Sequence, residues 1–146
     1  MKISNFIICD DIRVELGNKH SLMGIYSNSI NFQSSPDQKD AWPKTKRLCV
    51  FAQIEVEKEK IADFHSFQIE IDYNGKKDKI GGSNLPTPNP KTQQGIMLQA
   101  IFSNFKFKAP GEIIFTFKFY DKAEKKLFEI TSPQPFKVEE TIIKSQ

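Results

Sequence analysis

Alternation with a period of two residues runs through this chain almost from end to end, and it limits the fold more than any other feature does. His65, Phe67, Ile69, Ile71 and Tyr73 fall on one parity, with Ser66, Gln68, Glu70 and Asp72 on the other. Successive side chains of an extended strand point to opposite faces, so such a segment buries one face and wets the other. Leu48, Val50, Ala52, Ile54 and Val56 repeat the pattern, with Gln53, Glu55 and Glu57 facing out. Ile113, Phe115, Phe117 and Phe119 repeat it again, with Thr116, Lys118 and Tyr120 outside. Near the start, Ile12, Val14 and Leu16 predict the inner face of a half-buried strand whose outer face carries Asp11, Arg13 and Glu15. The only helical candidates are Lys58 to Phe64 and the tail.

Turn chemistry separates the strands. Gly17-Asn18-Lys19 predicts a turn, followed by an extended segment from Leu22 to Tyr26 that runs on towards Phe32. Asn74-Gly75 is the strongest short hairpin signal in the chain, and Lys76 to Ile80 reads as its short returning strand. The alternation that starts at Ile96 slips at Ser103-Asn104, which predicts a bulge before Phe105 and Phe107. Ala109-Pro110-Gly111-Glu112 and Asp121 to Lys126 are turns around the Phe-rich strand, and Leu127 to Ile130 pairs back. Phe136 to Val138, behind Pro133 and Pro135, reads as a final edge strand. Residues 33–46 and 81–95 hold the loop-forming composition. The prediction is an all-β protein: an antiparallel β-sandwich of eight to nine strands, immunoglobulin-like or C2-like, with at most one short helix, over residues 1–146 as a single domain.

Composition agrees with this class. Ile (18) and Phe (13) dominate, whereas the helix formers Ala and Leu supply six residues each. A chain with 13 Phe needs a core, which excludes disorder. Uninterrupted apolar runs are short, four residues at Phe6 to Cys9 and five at Leu48 to Ala52, far below the roughly 20 that span a bilayer. The opening lacks the apolar region of a signal peptide, so a cytoplasmic location without a membrane partner is expected. Cys9 and Cys49 each lie inside apolar runs and read as buried small hydrophobes. A disulfide between them would require neighbouring strands and an oxidising compartment. The net charge is +3, but 19 of the 21 basic residues are Lys, and only Arg13 and Arg47 are Arg. Arg is the side chain that reads base edges and clamps phosphates, so nucleic acid is a weak expectation.

The run from Cys9 to Tyr26 carries a pattern of its own: Asp10, Asp11, Ile12, Arg13, Glu15, Gly17 and Lys19, then Ser21, Leu22, Gly24 and Tyr26. It resembles the opening of a family of small uncharacterised bacterial proteins, a domain of unknown function. The resemblance covers about an eighth of the chain. It implies a single-domain cytoplasmic protein and supplies no activity, cofactor or catalytic residue. The Pro110-Gly111-Glu112 turn ahead of Phe115, Phe117 and Phe119 is similar to late hairpins of immunoglobulin-like and C2-like sandwiches, a likeness of fold alone.

The candidate functional residues fall into three groups. Asp11, Arg13, Glu15, Lys19 and His20 form the densest charged constellation, readable as an ion-pair ladder or as a surface for an anion or a partner. Acid–base chemistry through Asp11 and His20 ranks last. Trp42, with Lys44 and Arg47 close behind, marks a loop suited to anchoring a partner or to closing the open end of a sandwich. The second loop, including Leu85 to Pro90, is Pro-spaced and suits either docking or a long connection. Lys106, Lys108 and Lys118 are expected on the outside of two neighbouring strands, as a basic face. Neither a metal site nor a cofactor is expected, because the zinc, P-loop and dinucleotide spacings are missing. The expected function is a non-enzymatic binding module for a protein or a small anionic ligand. The alternatives are a nucleotide or nucleic-acid binder using the lysine face, and a structural subunit docking through an edge such as Phe136 to Val138.

Overall fold

The computed structural model describes residues 1–17, 19–38, 41–86 and 95–144. The four-stranded sheet runs in the order β2-β1-β4-β7: β2 is Lys19–Ile25, β1 Lys2–Glu15, β4 Lys44–Glu55 and β7 Gly95–Phe107. The second sheet runs β3-β10-β8-β5-β6: β3 is Ser29–Ser34, β10 Phe136–Ile142, β8 Gly111–Tyr120, β5 Ser66–Tyr73 and β6 Lys76–Asn84. A further strand, β9 (Lys126–Thr131), continues the β10 edge of β8. Among the described residues every strand pairing is antiparallel except β3 with β10. The fold is therefore the all-β sandwich the alternation predicts. Helix is limited to α1 (Lys58–Ile61) and a 3-10 turn at Pro36–Gln38 among the described residues.

The two inner faces meet where period two places them. Leu48, Val50, Ala52 and Ile54 of β4, and Ile96 and Leu98 of β7, face Phe67, Ile69 and Ile71 of β5 and Ile113, Phe115, Phe117 and Phe119 of β8 in one buried cluster. Phe107, Phe115, Phe117 and Phe119 are fully enclosed, and each is worth about 1.5–3 kcal/mol of burial. Phe6 of β1 meets Phe115 and Phe117 across the sandwich, with centroids 5.7 and 6.2 Å apart. Val56, Ile61 and Phe64 of the α1 segment plug one end, Phe64 stacking on Phe119 at 5.3 Å. At the other end Trp42 packs edge-on against Phe32 at 5.5 Å, and Phe32 against Phe107 at 5.1 Å.

The structure departs from the sequence reading at several places. The segment from Leu22 to Phe32 is two strands in different sheets, broken at residues 26–28. β6 continues to Asn84 through Gly81-Gly82, because Gly82 lies against the Phe67 carbonyl where a Cβ would not fit. The rest of the loop read over 81–95 lies, from residue 87 to 94, outside the described residues, as do Asn18 and residues 39–40. β10 is not an edge: it sits between β8 and β3, and its length takes in residues read as a helical tail. The bulge at Ser103-Asn104 is present; Phe105 pairs with Lys46 and Phe102 with Leu48, leaving two residues opposite one.

Two turns are stapled where the chain crosses between sheets from β7 to β8. Asn74 adopts φ 51° in the β5–β6 turn. Its carboxamide donates to the Pro110 carbonyl at 3.0 Å and accepts from the Glu112 amide at 2.9 Å. Gly111 has φ 149°, and the Asn74 carboxamide occupies the space a Cβ there would need. Tyr73 adds a hydroxyl bond to the Ala109 carbonyl.

Candidate functional site

β1 belongs to two partners in succession. Lys2 to Cys9 pairs with β4, whereas Cys9 to Glu15 pairs with β2. Beyond Cys9 the β1–β2 hairpin folds back over the outer face of the four-stranded sheet. Ile12 and Leu22 pack on Cys9, Cys49 and Phe51, and the His20 ring lies 5.8 Å from Phe51. Gly24, at φ 67°, gives β2 the local shape this bend needs, and the Asp10 carboxylate lies where a Cβ of Gly24 would project. His20 is thus a packing residue of the hairpin's inner surface.

Consecutive residues of a strand face opposite ways, and Asp10 and Asp11 use this to hold the hairpin root on both sides. Asp10 accepts the Tyr26 hydroxyl and lies 3.5 Å from Lys46, whose ammonium sits 5.4 Å over the Tyr26 ring. Asp11 accepts from Arg47 at 3.0 Å, from the Ile12 amide at 3.0 Å, and lies 3.7 Å from Arg13. The Arg47 hydrogen bond holds the Asp11 carboxyl below the usual carboxylate range. Burial, followed by the Asp10 hydrogen bond, raises the Tyr26 hydroxyl. The Tyr26 hydrogen bond raises Lys46. The structure pairs Asp11 with Arg13, its neighbour in the expected cluster, and also with Arg47, which the sequence groups with Trp42 and Lys44 instead; the Asp10–Tyr26–Lys46 contacts are not foreseen.

Beneath the hairpin, Cys9 and Cys49 are directly opposed partners on β1 and β4, both free and fully buried. Their thiols donate to the Asp11 and Asp10 carbonyls at 3.4 and 3.6 Å. Burial, then the neighbouring Cys49, pushes the Cys9 thiol up to about 11, and burial also raises Cys49. A thiol held neutral is a poor nucleophile. The pair is packing, as the sequence suggests.

The hairpin's far end is different. Val14 is 61% exposed and Leu16 is 94% exposed. The expectation that they share a buried face with Ile12 is corrected: among the described residues the cluster under the hairpin takes in Ile12 and Leu22 but neither Val14 nor Leu16. Glu15 there accepts from the Ser21 hydroxyl at 3.3 Å and opposes Lys19 in register. The tip therefore presents a bare Leu, with Arg13, Glu15 and Lys19 on the hairpin's other face.

The other candidates lie elsewhere. Lys44 sits 5.0 Å over the Trp42 ring, donates to Ser34 at 2.9 Å and lies 3.4 Å from Glu140. Ser34 in turn donates to Glu140 at 2.9 Å. Trp42 closes the sandwich end, and its indole N–H is buried without an acceptor among the described residues. Lys106 and Lys118 do not share a face, since β7 and β8 belong to different sheets. Lys118 is bound to Glu70 at 2.9 Å, and Lys108 lies between the two strands. The expected lysine stripe is thus dispersed by topology. Among the described residues no group of His, Cys, Asp and Glu is arranged to hold a metal ion, and no helix is long and apolar enough to cross a membrane.

The model of a family of unknown function (DUF6941) matches residues 4–129. Its span takes in the whole hairpin, both sheets' central strands and most of β9. The chain belongs to this family, as the pattern between Asp10 and Tyr26 implies. A comparison with curated proteins gives no match.

Proposed function

Starting from a member of that family, we propose that this chain is a non-catalytic binding module, cytoplasmic, that engages a protein partner through the tip of its β1–β2 hairpin. The observation that carries the reading is Leu16, 94% exposed at the end of a hairpin whose root is held on both faces. An isolated exposed Leu is ordinary on a surface. A Leu and a Val projecting from one face of a braced hairpin, with Arg13, Glu15 and Lys19 on its opposite face, offer a partner an apolar anchor beside charged groups on one element, the mixed composition of a protein contact. Bracing matters because a preordered anchor forfeits little conformational entropy on binding. Two buried free thiols suit a reducing compartment.

A protein partner is favoured over a small anion by how the cations are used. Arg47, Lys46, Lys44 and Lys118 each face a carboxylate already. An anion binding at any of these four would have to displace the carboxylate already there.

The test is site-specific photocrosslinking in the native cell. A photoreactive residue at Leu16 is expected to give a discrete protein adduct that the same group at Lys122, in the β8–β9 turn, does not give. Identical adducts from both positions, or none from Leu16, would overturn the proposal. A robust turnover abolished by Asp11→Ala or His20→Ala would make it an enzyme instead.

A further inference from the structure

The sandwich protects its edge strands unequally. β6 carries Lys76, Lys77 and Lys79, all exposed, and lysines on an edge resist pairing with another chain. β2 is interrupted by Gly24 at φ 67°. β3 and β9 are six residues each. β7 is bulged at Ser103-Asn104 but has none of these devices from Ile96 to Phe102. It is 13 residues long, it lies at the end of its sheet beside β4, and from Ile96 to Phe105 it carries no charged residue and no proline. Among the described residues no strand pairs with its outer edge.

Its side chains are also arranged symmetrically. Ile96 and Leu98 are buried against the second sheet. On the solvent face Met97 is 47% and Ile101 45% exposed, and they flank Gln99 two residues to either side. In register on β4, Ile101 opposes Cys49 and Gln99 opposes Phe51, so this apolar strip continues the small cluster under the hairpin.

We infer that β7 is a self-association edge, at which a second copy of this chain adds antiparallel to form a continuous eight-stranded sheet, with the two-fold axis at Gln99. In that register Met97 faces the second copy's Ile101, Leu98 faces its Ala100, Ile96 faces its Phe102, and Gln99 faces itself. Every facing pair is uncharged, so two identical edges meet without repulsion. A two-fold interface demands this self-complementarity. A basic or acidic partner, by contrast, would find no opposite charge along the strip. The seven facing residues span about 23 Å of edge at the usual rise per residue, a short contact of the kind that gives a weak, concentration-dependent dimer.

The experiment is sedimentation of the full chain across a wide concentration range, with charge substitutions at the self-facing position. The wild type is expected to dimerise. Gln99→Lys and Gln99→Glu are each expected to weaken the dimer about fivefold or more, the factor that about 1 kcal/mol of cross-strand repulsion produces. An equimolar mixture of the two is expected to associate more tightly than either alone. Gln99→Cys is expected to oxidise to a covalent dimer, since directly opposed residues have Cβ atoms about 4.5–5.5 Å apart. Thermal melting of each variant verifies that the fold is kept. A monomer at every concentration, a dimer indifferent to both charges, or a mixture no tighter than its parents would overturn the inference.

Discussion

Replacing Gly111 by Ala tests the staple that closes the sandwich where the chain passes from β7 to β8. Two costs combine. Ala at φ 149° enters a backbone region that side chains rarely adopt, a strain of about 1–3 kcal/mol. The new methyl also evicts the Asn74 carboxamide. Eviction breaks its bonds to the Pro110 carbonyl and the Glu112 amide, at about 1 kcal/mol each. The total is about 3–5 kcal/mol, a large part of the roughly 5–15 kcal/mol that holds an ordinary domain together. The assay is urea unfolding of four proteins: wild type, Gly111→Ala, Asn74→Gly and the double variant. Asn74→Gly keeps the positive φ and removes the carboxamide. In its background Gly111→Ala should cost only the backbone strain, so the two changes should couple by about 2 kcal/mol. An equal cost for Gly111→Ala in both backgrounds would refute the steric account, and a cost below about 1 kcal/mol would refute the strain as well.

The surface and the core should respond in opposite ways. Leu16→Asp should change stability by less than about 0.5 kcal/mol, whereas Phe117→Ala should cost about 3–5 kcal/mol in the same urea assay. Asp11 has a lowered folded pKa, so its tether to Arg47 is complete above the ordinary carboxylate range. It is lost as pH falls through that lowered value. Hairpin resonances followed by NMR should therefore shift only in acid, and Asp11→Asn should show the loosened signature at every pH. Cys9, pushed up to about 11 by burial and by Cys49, should react with a thiol reagent at neutral pH only after unfolding, as should Cys49. The raised values also mean that stability falls as pH climbs from the ordinary thiol pKa towards the folded one. Rapid reaction of either thiol in the native protein would contradict the packing described above.

Much of the architecture is legible along the chain because it is local. The inner faces at Phe67 to Tyr73 and at Leu48 to Val56, the Asn74-Gly75 turn, and the bulge at Ser103-Asn104 follow from side-chain alternation and turn chemistry within a few residues. Asp11 and Arg13 share one face of a strand, so their ion pair is readable too, whereas Glu15 turns to Ser21 of β2. Asp10 is harder to interpret, because its partners Tyr26 and Lys46 come from distant segments. Trp42 illustrates the same limit. An aromatic beside lysines suits a docking loop or a plug, and only its contact with Phe32 selects the plug.

What the amino-acid order determined by itself is the class of fold, the strands' buried faces and the turns between them, since a period of two is a property of neighbouring residues. Tertiary structure alone decided which strand lies beside which. It put β7 and β8 in different sheets and so dispersed Lys106, Lys108 and Lys118. It put β10 inside a sheet and left β7 at an edge, and it set Cys9 opposite Cys49. It also left the end of the hairpin outside the cluster that takes in Ile12 and Leu22, so that Val14 and Leu16, apolar in the buried parity, face solvent. Alternation states that one face of a strand is apolar; whether anything lies against that face depends on packing between residues far apart in the chain.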